Sequence, residues 1–416
     1  MEIKRDHYLK KLIDRMHNGL IKVVTGLRRC GKSYLVFTLF KNYLLSSGVR
    51  ADHIITMAFD VRENMRYRDP DVLLAYIKES VRDDGNYYIL LDEIQMLTDF
   101  ESVLNSLLHI PNVDVYVTGS NSRFLTSDIV TEFRGRGDEV RLYPLTFYEY
   151  MTAFEGDRYQ GLQEYYLYGG LPLIVTMKSD EQKSRYLKNL FAETYIKDLI
   201  EHNKIAKTEE LDELIDIMAS DIGAYTNPAK ITNTFHSVLN SKITEPTVQR
   251  YIEYLTDAYL ISEAKRYDVK GRKYIGNPRK YYFEDMGLRN ARLNFRQTEE
   301  THIMENVIYN ELRARDFNVD VGTVKTRKTK DGVTRRNKLE IDFVASSGSK
   351  KYYIQSAFSL YPAEKEQQEK ASLMNAMDGF TKIIITGDVR KPQRDKNGIL
   401  VMSIYDFLLD QNSLEK

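Results

Sequence analysis

The 416-residue chain contains one cysteine and no tryptophan, and its 60 basic residues are matched by 60 acidic ones. A single thiol, Cys30, excludes an internal disulfide and a cysteine-cluster metal site. The formal net charge of zero excludes global attraction to nucleic acid, so any contact with a polyanion has to come from local patches. No apolar run reaches the ~18–20 residues that a membrane-spanning helix needs. Met1-Glu2-Ile3-Lys4-Arg5-Asp6 lacks the apolar core of a signal peptide. No internal repeat or low-complexity segment stands out. What is left is ordinary globular material, 42% hydrophobic and 29% charged, long enough for roughly two to four domains. A cytoplasmic protein with no membrane partner is expected.

The chain is organised around Gly26-Leu27-Arg28-Arg29-Cys30-Gly31-Lys32-Ser33. This stretch follows a β-branched apolar run, Ile21 to Thr25, and leads into Tyr34 to Phe40, which reads as a helix. Strand, glycine loop and helix in that order fit G-x-x-x-x-G-K-[ST], the phosphate-binding loop. Glycines let successive N–H groups turn inward onto phosphate oxygens, and the helix N-terminus adds partial positive charge. The candidate nucleotide contacts are Gly26, Arg29, Cys30, Gly31, Lys32, Ser33 and Tyr34, with ATP and Mg²⁺ as the implied ligands. Lys32 reaches the β- and γ-phosphates in this pattern, and the Ser33 hydroxyl ligates Mg²⁺. Cys30, beside a helix N-terminus and a lysine, is expected to have a lowered thiol pKa. A redox-sensitive nucleotide site and a position that merely tolerates a small side chain both fit it.

Tyr87-Tyr88-Ile89-Leu90-Leu91-Asp92-Glu93 is an apolar strand ending in two carboxylates, the form of a Walker B segment. Asp92 is the second candidate metal residue, and Glu93 the candidate for orienting the attacking water. Both segments fall at carboxyl ends of strands, where open α/β sheets bind ligands. Val113 to Thr118 is a further strand, and Ser120 or Asn121 after it is placed to sense a γ-phosphate; both residue types also favour turns. Arg134 and Arg136 are the candidates for an arginine that completes the site, supplied by the same chain or by a neighbouring copy. Solvated loop cations are the competing reading.

The remaining elements alternate. Residues 1–20 read as an amphipathic lead-in helix, His53 to Phe59 as a strand, Val72 to Val81 and Phe100 to Leu108 as helices, and Leu142 to Thr146 as the last strand of the nucleotide domain. Strands alternating with helices imply βαβ units and a parallel sheet. The expected domains are a P-loop core over 1–150, a tyrosine-rich helical lid over 151–205, a winged helix-turn-helix over 206–290 and a last α/β unit over 291–416. Within the third, Thr244-Glu245-Pro246 opens a helix, and the segments Tyr259 to Lys265 and Tyr274 to Phe283 form a hairpin. The wing, Lys265 to Lys280, carries seven cations against Asp268, which fits either a phosphate-backbone contact or a solvated hairpin. Thr323 to Lys338 reads as a basic, turn-rich loop, followed by strands at Leu339 to Ala345, Lys351 to Gln355, Lys382 to Thr386 and Ile399 to Met402.

These landmarks, with Val117-Thr118-Gly119-Ser120, Gly135-Arg136, Pro144-Leu145-Thr146-Phe147, Gly169-Gly170-Leu171-Pro172 and Glu340-Ile341-Asp342-Phe343, resemble a prokaryotic family of P-loop ATPases joined to a PD-(D/E)XK nuclease-like domain. That family is similar to the AAA+-related signal-transduction (STAND) and archaeal ATPases. The resemblance implies that Gly170-Leu171-Pro172 is a lid element that packs on adenine, making Pro172 a candidate contact. It also implies a nuclease-like constellation in which Glu305 and Asp342 hold the first two places. The third motif falls at Gln355-Ser356-Ala357, where the metal-binding glutamate and the lysine are missing. The expectation is therefore an α/β ATP-hydrolysing switch or motor without nuclease activity. Its candidate partners are DNA, through Lys265–Lys280 or Lys325–Lys338, a protein, or further copies of itself. A nucleotide-controlled binding protein with negligible turnover is the alternative.

Overall fold

The computed structural model describes residues 3–119, 135–330, 333–376 and 378–416, with the backbone alone described at 327–330 and 333–336. The chain forms two compact units, one comprising residues 1–144 with 257–259, the other 145–256 with 260–416.

The first unit begins with α1 (Asp6–Ile13) and β1 (Ile21–Thr25). After the glycine loop, α2 (Lys32–Tyr34) continues through wider π-turns at Leu35–Phe40 into α3 (Lys41–Ser46). Then come β2 (Ile54–Ala58), α4 (Pro70–Ser80), β3 (Tyr87–Asp92), α5 (Phe100–Leu107), β4 (Val113–Thr118) and β5 (Gly137–Arg141). The strands form a fully parallel sheet in the order β2-β3-β4-β1-β5. Parallel strands covered on both faces read as continuous apolar runs, and every residue of β1 and β3 is buried. Phe100, Val103, Leu104 and Leu107 form the apolar stripe of α5, which joins Leu73 and Ile77 of α4 over Ile89, Leu91, Val115 and Val117. Asp69 starts α4 by accepting the N–H groups of Asp71 and Val72 at 3.0 and 3.1 Å, with Pro70 at the first helical position.

The last strand of this sheet is Gly137–Arg141, not Leu142 to Thr146 as the sequence suggested. Its edge position explains the difference. Gly-Asp-Glu-Val-Arg carries charge that a solvent-facing edge tolerates. The buried Leu142, Tyr143 and Leu145 belong to the connection that follows, where Pro144 has no N–H to give a ladder.

At the amino ends of the strands a buried ion pair crosses the sheet. Lys22 of β1 donates to Asp114 of β4, which also accepts the Tyr116 hydroxyl at 2.9 Å and the His17 N–H at 3.1 Å. Lys22 is fully buried, and that burial pushes its pKa below the usual lysine range against the pull of Asp114.

The second unit holds a mixed nine-stranded sheet. Its strands are β6 (Tyr225–Thr226), β7 (Ile261–Asp268), β8 (Lys273–Phe283), β9 (Asn318–Lys330), β10 (Val333–Ser347), β11 (Lys350–Ala357), β12 (Thr381–Thr386), β13 (Gln393–Arg394) and β14 (Leu400–Ser403). Their order is β13-β14-β12-β11-β10-β9-β7-β8-β6. The β7–β8 hairpin is thus not a free wing. Arg266, Tyr267 and Asp268 pair in parallel with Val321, Gly322 and Thr323 of β9. The stretch expected as a basic loop, Thr323 to Lys338, is paired strand on both sides, from Glu340 opposite Thr323 out to Val333 opposite Lys330. Its cations disguise the strands because they interrupt the hydrophobic alternation by which a strand is recognised in sequence.

Helices of the second unit meet at a polar elbow. Gly169, in left-handed backbone at φ 74°, ends the helix Arg158–Tyr168, and Pro172 starts Pro172–Thr176. Between them the Gly170 N–H donates to Asp285 Oδ2 at 2.8 Å, and its carbonyl accepts the Leu145 N–H at 2.7 Å. A Cβ on Gly170 would lie 2.4 Å from the Leu145 carbonyl oxygen, so no larger residue fits. The same Asp285 caps the helix Met286–Arg292 through the Leu288 N–H at 3.0 Å.

Candidate nucleotide site

The glycine loop emerges from the carboxyl end of β1 and turns three times through left-handed backbone, at Gly26 (φ 132°), Arg29 (φ 64°) and Gly31 (φ 103°). Alternation of this kind directs backbone N–H groups into one concavity. Gly26 is also forced by space, since a Cβ there would sit 2.0 Å from the Leu142 carbonyl oxygen. Gly31 leads into the helix that begins at Lys32, closed by the Leu35 N–H to Gly31 carbonyl bond at 2.9 Å.

Lys32 is buried, and its Nζ lies 2.9 Å from the Gly26 carbonyl and 3.0 Å from the Leu27 carbonyl, inside the curl of the loop. Ser33 and Tyr34 are exposed. The Ser33 hydroxyl donates to Asp92 Oδ1 at 3.0 Å, joining the helix start to the end of β3. Cys30 is fully buried, with Sγ 3.5 Å from the Leu142 carbonyl oxygen. Its thiol therefore faces the interior, and the redox-sensitive reading of this position loses the accessible thiolate it requires.

Two residues that the sequence reading passed over support the site. Arg5, buried ahead of α1, donates to the Cys30 carbonyl at 3.2 Å and to the Tyr143 carbonyl at 2.7 Å, tying the loop to the segment after β5. Thr118, the last residue of β4, lies between β1 and β3 in the sheet. Its hydroxyl donates to Asp92 Oδ1 and accepts the Glu93 N–H at 3.3 Å. The signal for Thr118 was its place at the end of the strand after Walker B. The polar group sought there was two or three residues further on, at Ser120 or Asn121, and those residues, like Arg134, lie outside the described ones.

Glu93 follows Asp92 in left-handed backbone at φ 51°, and its carboxylate accepts the Gln95 side-chain amide. Arg136 is elsewhere. Its carbonyl accepts the N–H of Ile21, the first residue of β1, at 2.9 Å, and its guanidinium donates to Asn105 Oδ1 at 2.9 Å. It stands a strand's length, roughly 15 Å, from the loop of its own chain. Gly26, Arg29, Cys30, Gly31, Lys32, Ser33, Asp92 and Glu93 thus converge in the first unit, whereas Pro172 belongs to the second.

The cations expected to face a polyanion divide into two groups. Lys280 is buried, Arg279 is paired with Glu263, and Arg266 lies over the Tyr225 ring at 5.0 Å. Lys265, Lys270, Arg272 and Lys273 are exposed. On the ribbon, Lys325 is bonded to Asp268 at 2.5 Å, a contact that holds the Asp268 carboxyl below the usual carboxylate range.

Among the described residues, no helix is long and apolar enough to cross a membrane. Comparison with known proteins gives two domain matches: an AAA domain at residues 18–151, and a "Domain of unknown function (DUF8612)" at residues 159–299. An uncharacterized protein of Methanocaldococcus jannaschii is 27% identical over 387 residues, 89% of this chain and 80% of its own length. The solved structure of a Walker-type ATPase of Pyrococcus abyssi is similar with a TM-score of 0.49 at 15% identity, over 70% of this chain and 96% of that one. An uncharacterized protein of Haemophilus influenzae is 30% identical over 413 residues, 98% of each chain. With that near-complete match, and an AAA domain spanning the glycine loop and Walker B strand, this chain belongs to the family of the Haemophilus influenzae protein.

Proposed function

We propose that the protein binds ATP with Mg²⁺ and hydrolyses it, working as a nucleotide-driven switch or motor. The observation that carries this reading is the Ser33–Asp92 hydrogen bond at the mouth of a loop with three left-handed residues. Backbone N–H groups and the helix start suit phosphate oxygens, and Lys32 neutralises their charge. Ser33 and Asp92 suit Mg²⁺, which when bound supplies further neutralisation of phosphate charge. Glu93 orients the attacking water, and Thr118 holds Asp92 and the Glu93 backbone in place. Arg136, remote from its own loop, fits a role in completing the site of a neighbouring copy, and Pro172 remains our candidate for an adenine contact.

The second unit serves, in this reading, as a recognition module derived from winged-helix and nuclease-like folds. We assign it no nuclease activity, because Gln355 and Ala357 replace the glutamate and lysine of the third motif. DNA is its proposed partner. The backbone register sets Lys338 opposite Lys325, Arg336 opposite Arg327 and Arg335 opposite Lys328, a density of cationic residues along the sequence that suits a phosphate backbone. Exposed Lys265, Lys270, Arg272 and Lys273 add to the same electrostatics.

A nucleotide-controlled binding protein with negligible turnover is the second reading. It is favoured by the Gln95 amide on the Glu93 carboxylate, which holds the water-orienting group in another bond. Steady-state ATP turnover of the wild type against Lys32→Ala, with and without double-stranded DNA at two salt concentrations, separates the readings. DNA-stimulated, salt-sensitive turnover lost in Lys32→Ala supports the DNA-coupled ATPase; tight ATP binding without turnover supports the second.

A further inference from the structure

Within the second unit, β8, β10 and the helix Glu300–Ala314 converge on a partly buried group of charges. Lys280 of β8 is 4% exposed. Its Nζ lies 3.0 Å from Glu305 Oε1 and 2.7 Å from Glu340 Oε1. Tyr282, on the same face of β8, donates its hydroxyl to Glu305 Oε1 at 2.7 Å. Asp342, two residues beyond Glu340, is buried and accepts the Ser356 N–H at 2.8 Å. It lies where the β9–β10 register shifts, between Ile341 and Val344. Gln355, at the place of the missing third acid, is held by the Ser372 hydroxyl at 3.2 Å.

The ammonium is therefore in the middle of the carboxylates rather than beside them. A Mg²⁺ or Mn²⁺ ion shared by Glu305 and Glu340 would need their oxygens at about 2.1 Å. Lys280 already takes Oε1 of both. Burial opposes its charge, but Glu305, Glu340 and Asp342 together outweigh that and hold its pKa above the usual lysine range. Burial first, and then the neighbouring Glu305, push the Asp342 carboxyl well above the carboxylate range.

We propose that the Lys280 ammonium is the resident cation of this cluster. It takes the place of a divalent metal and fastens the β7–β8 hairpin to β10 and to the helix Glu300–Ala314. The residue that sequence reading assigned to a DNA-facing wing is thus an internal counter-ion. The missing charge of the third motif is answered by a lysine from another strand, in a structural rather than a hydrolytic role. This inference is independent of the ATPase reading.

Thermal melting of nucleotide-free, full-length protein tests it, with and without Mn²⁺. The expected result is the same Mn²⁺ response in the wild type and Glu305→Gln. Lys280→Met should melt roughly 5 °C or more below the wild type, with part of the loss recovered in Lys280→Met/Glu305→Gln, because removing Glu305 as well leaves one orphaned carboxylate fewer. A Mn²⁺-dependent rise in wild-type melting temperature that Glu305→Gln abolishes would overturn the proposal, and that comparison needs no Lys280 variant to fold. Mg²⁺-dependent plasmid cleavage that disappears in Asp342→Ala would overturn it equally.

Discussion

The Ser33 hydroxyl and the Asp92 carboxylate, 59 residues apart in sequence, meet at 3.0 Å. The contact joins the start of the helix after the glycine loop to the end of a strand that is not its neighbour in the sheet, because β4 lies between β1 and β3. Thr118 of that intervening strand bonds the same Asp92 oxygen, so a helix start and the ends of two strands meet at one carboxylate.

Replacing Lys32 and Glu93 should separate binding from turnover. Lys32→Ala is expected to lose ATP affinity and turnover together, the latter by about 10²-fold or more. Glu93→Gln should lose turnover to a similar extent while still binding nucleotide. Phosphate release and binding of a fluorescent ATP analogue, measured on the same preparations, check both.

Thr118→Val removes a hydrogen bond to a charged group without changing side-chain volume. Turnover should fall roughly ten- to a hundredfold, with nucleotide affinity nearly kept, since hydrogen bonds to charged groups contribute about 1.5–3 kcal/mol. Equal losses in affinity and turnover would instead assign Thr118 to nucleotide binding.

Gln95→Ala frees the Glu93 carboxylate from a side-chain amide. Basal turnover should rise, by up to roughly tenfold, and stimulation by a partner should shrink in proportion. A fall in basal turnover would mean that Gln95 helps to orient Glu93.

Asp285 makes stability depend on pH. Burial pushes its carboxyl up to about 6 from an ordinary 3.8, against the backbone N–H groups that it accepts. Between these values the folded state holds a proton that the unfolded state has released. The contribution is therefore fully present below about pH 4 and lost as pH rises through about 6, a swing of about 3 kcal/mol. Denaturant midpoints at pH 4.5, 5.5 and 7 should show the wild type gaining on Asp285→Asn as pH falls.

Asp114→Ala should destabilise the first unit by about 3–5 kcal/mol, because it leaves the fully buried Lys22 without its counter-ion. Lys22→Met/Asp114→Leu should restore much of the loss. Chemical denaturation followed by tyrosine fluorescence provides the measurement.

The parallel sheet was legible because its inner strands carry their own signal: buried on both faces, Ile21–Thr25 and Tyr87–Asp92 have no room for polar residues apart from those facing a partner. The edge strand Gly137–Arg141 and the ribbon from Thr323 to Lys338 are hard to see in the sequence because both carry charge where a buried strand would carry apolar residues. Charge in place of alternation removes the signal that makes a strand visible in sequence.

The glycine loop, the strand ending in Asp92 and Glu93, and the order of elements that brings them to the carboxyl ends of one sheet are all legible in the residues alone. These depend on spacing within a few residues, where backbone geometry and side-chain chemistry are coupled locally. What the remaining polar residues do follows from the folded arrangement. Arg5 reaches the loop from the N-terminal segment, Thr118 bonds Asp92, Asp285 holds the Gly169–Gly170 elbow, and Lys280 turns inward to Glu305 and Glu340. A charged side chain in a sequence is the same whether it faces water or a buried carboxylate, and only the fold supplies the partner that makes its burial favourable.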